Sequence, residues 1–205
     1  MILSIDTSSA ACSVALLAPG GAVVARAHEQ IGRGHAERLA PMIAELLGGH
    51  VPTQILVGVG PGSFTGIRVG IGAAHGLAIG WSVPVAGMDS LALVAAASGQ
   101  QSAHPIAVAM HGGHGELFVR TFDGATLNPI DEFASLRPGE AAARIDAALV
   151  VGTGAEALVA ARGSGKAIEQ WPSAAAALSL PEPLRSLEAR PSYGRAADAK
   201  ARAAA

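Results

Sequence analysis

Residues 58–76, GVGPGSFTGIRVGIGAAHG, follow the apolar run Ile55-Leu56-Val57 and hold seven of the chain's 26 glycines. An apolar run that breaks into glycine, proline and hydroxyl residues and then resumes reads as a strand turning into a helix. Gly66, Gly70, Gly72 and Gly76 fall in the helical part, where a glycine costs about 1 kcal/mol relative to alanine in an exposed interior. Gly66 and Gly70 are four apart, as are Gly72 and Gly76, so each pair shares a face on which another backbone can come close. The helix therefore reads as a packing surface. The loop Gly60-Pro61-Gly62-Ser63-Phe64-Thr65-Gly66 admits two readings: a phosphate cradle built from amides and hydroxyls at a helix start, or a plain tight strand-to-helix turn. It is not a Walker loop, because no Lys-Ser or Lys-Thr pair follows the glycines.

Upstream, Ile2–Ile5, Ser13–Leu17 and Ala22–Ala27 read as three strands joined by polar or glycine turns, which makes an antiparallel meander. A helix from about His35 to Leu47 carries Leu39, Met42, Ile43, Leu46 and Leu47 on one stripe; Pro41 implies a kink or a late start near residue 40. Val83–Ala86 and Asp89–Ala97 read as a further strand and helix. Gly99-Gln100-Gln101-Ser102 then marks a lobe boundary. The second half repeats the plan in reduced form: strands Ile106–Met110, Leu117–Phe122 and Thr126–Phe133, a helix from Pro138, strand Leu149–Val151 and a helix from Ala155. Beyond Gly163 only a short helix near Ser173–Leu178 and an Ala-rich tail are expected. The reading is an α/β chain of two β-β-β-α-β-α lobes, residues 1–100 and 101–190, with residues 191–205 as a tail that packs back on the first lobe.

The 205 residues are 50% apolar and 15% charged, the composition of a core-rich folded chain. A formal net charge of −2 and 3% aromatic residues argue against independent nucleic-acid binding through a basic field or stacking platforms. Arg190, Arg195, Lys200 and Arg202 read as a solvated helical face. Cys12 is the lone cysteine, which excludes an internal disulfide and fits a reducing, cytoplasmic setting. No apolar run reaches the length that spans a bilayer, and no basic leader precedes Met1-Ile2-Leu3.

Four segments, Ile2–Ser9, His35–Leu39, Gly60–Gly70 and Pro191-Ser192-Tyr193-Gly194-Arg195, together resemble the TsaB family. The resemblance is strong over residues 1 to about 98, and PGSFTG-x-R is its most specific part. It implies the two-lobed actin-like (ribonuclease-H-like) fold and a role in making threonylcarbamoyladenosine at position 37 of tRNAs that read codons beginning with A. It further implies a non-catalytic subunit with no catalytic or metal-binding residues and no cofactor of its own. A homologous TsaD-like subunit would carry the metal and the transfer chemistry, a TsaE-like ATPase would bind across the pair and bring ATP, and tRNA would be met only through the complex. Catalytic relatives place two histidines four apart on a helix to bind metal; the matching segment here has His35 and then Ala36-Glu37-Arg38-Leu39, so the second ligand is missing.

The resemblance also implies that two helices, about 35–48 and 65–79, pair with the homologous subunit, or with a second copy when the chain is alone. Leu39, Met42, Ile43, Leu46, Ile67, Gly70, Ile71 and Ala74 are the interface candidates, with an internal core as the alternative for part of the set. Asp6, Thr7, Ser8, Gly62, Ser63 and Arg68 are the candidates for a nucleotide or phosphate site, since actin-like kinases place an aspartate after the first strand. Against that stands the common use of Asp and Ser as turn formers. Two other functions are weighed: a nucleotide-dependent phosphotransferase, resting on Asp6 and the glycine loop, and a metalloprotease, which lacks an H-E-x-x-H motif. The chain departs from the family at His111-Gly112-Gly113-His114-Gly115-Glu116-Leu117-Phe118, where members carry an acidic and a basic residue; adventitious metal binding there is a further reading.

Overall fold

The turn between Ile2–Asp6 (β1) and Ala11–Leu17 (β2) spans only four residues, so the two strands can pair only antiparallel, and they do, with Ile2 opposite Leu17 and Asp6 opposite Ser13. Val23–Gln30 (β3) adds antiparallel to β2. The next two strands, Gln54–Gly60 (β4) and Val85–Asp89 (β5), lie parallel to β1 and to each other, each reached through a helix: His35–Leu47 (α1) and Phe64–Trp81 (α2). The order is β3-β2-β1-β4-β5. The computed structural model describes residues 1–100 and 102–193.

After Ser90–Ala97 (α3), the second lobe repeats this plan with Ile106–His111 (β6), Leu117–Phe122 (β7), Ala134–Leu136 (β8), Pro138–Arg144 (α4), Leu149–Val151 (β9), Ala155–Arg162 (α5) and Lys166–Ile168 (β10). Its sheet order, β8-β7-β6-β9-β10, is the first lobe's order again. This is the two-lobed actin-like arrangement. A 3-10 turn, Ala174–Ser179, and the short helix Glu182–Arg185 (α6) complete the described chain. No helix among the described residues is long and apolar enough to cross a membrane.

Helices α1 and α2 cover one face of the first sheet, and their inner stripes make a core with Leu3, Ile5, Val14, Leu16, Ile55 and Val57. The other face meets α3, whose sequence SLALVAAA is apolar all round and is buried accordingly. There, Leu91, Leu93 and Val94 join Leu56 and Met88 of the first lobe to Ile106, Val108, Phe118 and Phe122 of the second, so both lobes share one core. Asp89 adds a polar tie: Oδ1 accepts the Ala92 amide at 2.9 Å and caps α3, while Oδ2 receives Arg120 Nη1 from the second lobe at 2.9 Å. Ser13 Oγ accepts the Ala174 amide at 2.9 Å, fastening the returning chain to β2.

Three expectations change. Residues 126–133 do not form a strand: Asp123 Oδ1 accepts the amides of Ala125 and Thr126 and the Thr126 hydroxyl, which curls the chain into a turn, and the third strand comes later as β8. Helix α1 does not start late; it runs unbroken from His35 through Pro41, which is exposed, so the carbonyl left without its amide is on the solvent side. The return to the first lobe begins ahead of residue 191, since Leu187 pairs with Gly87 and Ser192 N donates to Val59 O at 2.8 Å. Strand β10 and helix α6 were not foreseen. Arg195, Lys200, Arg202 and the rest of 194–205, with Gln101 of the lobe boundary, lie outside the described residues.

Candidate functional site

Asp6 ends β1 and is 1% exposed. Its Oδ1 accepts the Ser8 amide at 3.0 Å and the Ser8 hydroxyl at 2.8 Å; its Oδ2 accepts the Ser90 hydroxyl at 3.0 Å. Ser90 Oγ in turn accepts the Gly60 amide at 3.2 Å. A Cβ on Gly58 would overlap Asp6 Oδ2, so glycine there makes room for the carboxylate. Burial pushes the Asp6 carboxyl above its ordinary range, against the opposing pull of the Ser8 and Ser90 hydrogen bonds. A carboxyl raised in the fold binds its proton more readily folded than unfolded, so its contribution to stability declines as pH rises through that interval. Wild-type protein should accordingly lose stability relative to Asp6→Asn as pH climbs from about 4; a difference that stays constant in urea titrations between pH 4 and 7 would contradict this.

The glycine loop is packed onto the same turn. Ser63 N donates to Ser8 O at 2.6 Å, Ser63 Oγ caps α2 by accepting the Gly66 amide at 3.2 Å, and Thr7 Oγ1 donates to Gly66 O at 2.7 Å. A Cβ on Gly62 would overlap the Ser8 carbonyl oxygen, on Gly66 the Thr7 carbonyl oxygen and on Gly70 the Thr7 hydroxyl. Asp6, Thr7, Ser8, Gly62 and Ser63 are thus brought together, but as a closed joint between the β1–β2 turn and α2. The aspartate faces inward and the amides of Gly60, Ser63 and Gly66 are engaged by the protein, so the group does not suit magnesium and a phosphate. Arg68, the sixth candidate, stands apart on the exposed side of α2.

The interface candidates lie mostly inside their own lobe. Leu39, Met42, Ile43, Ile67, Ile71 and Ala74 are buried in their own lobe's core, Gly70 is pressed against Thr7, and Leu46 is half-buried against the same cluster. Apolar side chains at helical spacing went inward first, so these seven are covered within the chain itself. The face of α2 left to solvent is different: Arg68, Gly72, His75, Gly76, Ile79 and Gly80. A Cβ on Gly72, Gly76 or Gly80 would meet nothing within 4 Å, and Ile79 is 81% exposed. Helix α1 presents Ala36, Ala40 and Ala44 to solvent at matching four-residue spacing. The two helices run side by side from one end: His35 Nε2 bonds Ser9 O at 2.9 Å just as Ser63 bonds Ser8. Continuing the four-residue glycine spacing to Gly80 was the signal in the sequence for this face.

Charge on α1 is tied down beside this face. Arg38 grips Glu29 of β3 bidentately, Nη2 to Oε1 at 2.6 Å and Nε to Oε2 at 2.8 Å, and reaches Glu45 at 3.2 Å; the Arg38 hydrogen bond holds the Glu29 carboxyl below its usual range. Cys12 is buried, and burial pushes its thiol up to about 11, which keeps it an unreactive core residue. In the histidine-bearing turn, His111 N donates to Thr153 Oγ1 at 3.1 Å and Ser135 Oγ donates to Glu116 Oε2 at 2.6 Å. Among the described residues no three histidine, cysteine or carboxylate side chains gather as a metal site.

Residues 20–183 match the family profile of TsaD: tRNA N6-adenosine threonylcarbamoyltransferase. The tRNA threonylcarbamoyladenosine biosynthesis protein TsaB of Escherichia coli strain K12 is 45% identical over 100 residues, 46% of this chain and 42% of that protein. The TsaB protein of Haemophilus influenzae is 43% identical over 102 residues, 47% of this chain and 42% of its own length. The chain thus spans less than half the length of the curated relatives it matches. A crystal structure from Pseudomonas aeruginosa, described as an uncharacterized protein with similarity to peptidase YEAZ, superposes with a TM-score of 0.79 at 33% identity, covering 95% of this chain and 99% of that one.

Proposed function

This chain belongs to the TsaB family, within the wider group the TsaD profile describes, and from that membership we propose that it is a non-catalytic subunit of the machinery that makes threonylcarbamoyladenosine in tRNA. It pairs with a TsaD-like homologue through the open faces of α1 and α2, self-pairs when that partner is absent, and leaves nucleotide, metal and most tRNA contact to the TsaD-like and TsaE-like subunits. The observation that carries this reading is the solvent face of α2. Gly72, Gly76 and Gly80 each weaken the free helix, and nothing in the described protein fills the space above them. Beside them Ile79 stands bare. A second helix laid along that groove gains dispersion contacts over its whole length and covers the isoleucine.

A non-catalytic role is supported by the buried, internally bonded Asp6 and by the engagement of His35 Nε2 with a backbone carbonyl. The test is Gly76→Glu. Its side chain has open space in the isolated chain, so the monomer should melt no lower than wild type. In sedimentation or titration with the cognate TsaD-like protein its affinity should fall at least about a hundredfold, roughly 2.7 kcal/mol. Undiminished pairing by Gly76→Glu would refute the proposed face.

A further inference from the structure

We infer, granting that the α2 face pairs with a homologous subunit, that Arg68 is the charged anchor of that contact, reading a carboxylate on the partner's helix, and that the C-terminal segment 187–193 sets its aim. Arg68 lies in line with Gly72, His75 and Ile79 at the start of the open stripe. No carboxylate among the described residues pairs with it. Its guanidinium carbon sits 3.4 Å from the centre of the Phe64 ring and 5.2 Å from that of Tyr193, and the two rings are 5.1 Å apart. A long cationic side chain with no ion partner among the described residues would ordinarily swing; here the Phe64 ring against its guanidinium carbon, with Tyr193 beside it, restrains it. A ring against the guanidinium face leaves its in-plane N–H groups available, and a guanidinium so held can receive a carboxylate through two parallel hydrogen bonds.

Tyr193 is delivered by a run of chain fastened at several points. Leu187 exchanges two backbone hydrogen bonds with Gly87, at 2.7 and 3.1 Å. Ala189 O meets His75 Nε2 at 2.9 Å, and Ser192 N donates to Val59 O. A Cβ on Gly60 would stand 2.6 Å from Ser192 O, so the loop glycine lets the segment come close. The segment therefore passes from His75 toward Phe64 along one flank of the open stripe. Residues fastened to the first lobe thus orient the charged group that heads the open stripe of α2. The uncharged groove of Gly72, Gly76 and Ile79 continues directly from Arg68, which favours a helix carrying one carboxylate over a polyanionic backbone.

The test is a double-mutant cycle on the complex with the TsaD-like protein, with melting temperatures of each free variant measured alongside. Arg68→Ala should weaken pairing roughly 10- to 100-fold and flatten its salt dependence. Tyr193→Ala should weaken it about fivefold in wild-type background and not at all once Arg68 is alanine, while Tyr193→Phe retains affinity. An equal loss from Tyr193→Ala in both backgrounds would mean a structural role only and overturn the inference. So would Arg68→Ala that pairs normally but costs the complex its hold on tRNA, which would assign the guanidinium to a phosphate. If Gly76→Glu abolishes pairing and Arg68→Ala does not, the anchor fails while the proposed face stands.

Discussion

Gly66→Ala should leave the protein barely folded, with a loss of at least about 3 kcal/mol, because the new methyl group would overlap the Thr7 carbonyl oxygen and neither backbone can step aside. The same shift would break the 2.7 Å bond from Thr7 Oγ1 to Gly66 O and disturb the Ser63 cap three residues earlier. Gly76→Ala, ten residues along the same helix, should do the reverse: with open space around it, alanine raises the helix's stability by about 1 kcal/mol. Urea unfolding of the two variants side by side checks the contrast. Similar midpoints would show that the two glycines are not doing different jobs. A protein that gains stability from Gly76→Ala and loses its partner from Gly76→Glu keeps that glycine for association.

The second large effect is expected at the joint between lobes. Asp89→Ala should cost about 3 kcal/mol, because it removes the carboxylate from an Arg120 whose side chain is only 16% exposed and leaves the guanidinium, among the described residues, only the Asp131 carbonyl, which accepts from Nε at 3.1 Å. It also removes the N-cap of α3, which adds about 1 kcal/mol. Asp89→Asn combined with Arg120→Leu should recover much of the loss, since it retains a capping oxygen and buries no unpaired charge. With a core shared between lobes, all these proteins should unfold in a single transition by circular dichroism. Two separate transitions, or a double variant no better than Asp89→Ala, would contradict this account.

The order of strands and helices in the first lobe was legible because its turns are short and its apolar runs are bounded by glycine and proline. The outward face of α2 was not. Gly66 with Gly70 and Gly72 with Gly76 have the same spacing, yet one pair grips Thr7 and the other faces water. Spacing places residues on a common face without saying which way that face points. Hydrophobicity misleads here in a specific way: Leu39, Met42 and Ile67 look like contacts because they are large and apolar, and for that reason the lobe's own core takes them. What stays outside on α1 and α2 is largely alanine and glycine, with Ile79 the bare exception, and small residues carry little hydrophobic signal. In the second lobe, Thr126–Phe133 has the composition of a strand, but the Asp123 side chain draws the following amides into a turn. Tyr193 was legible only as part of a motif; its place beside Phe64 depends on contacts made by residues more than a hundred positions away.

Helix α3 is a wall common to both sheets, apolar on every side and sealed from water along most of its length. A molecule built this way has no waist at which to bend. Prising the sheets apart would bare both flanks of this helix to water at once, so the halves should part only when the whole core melts.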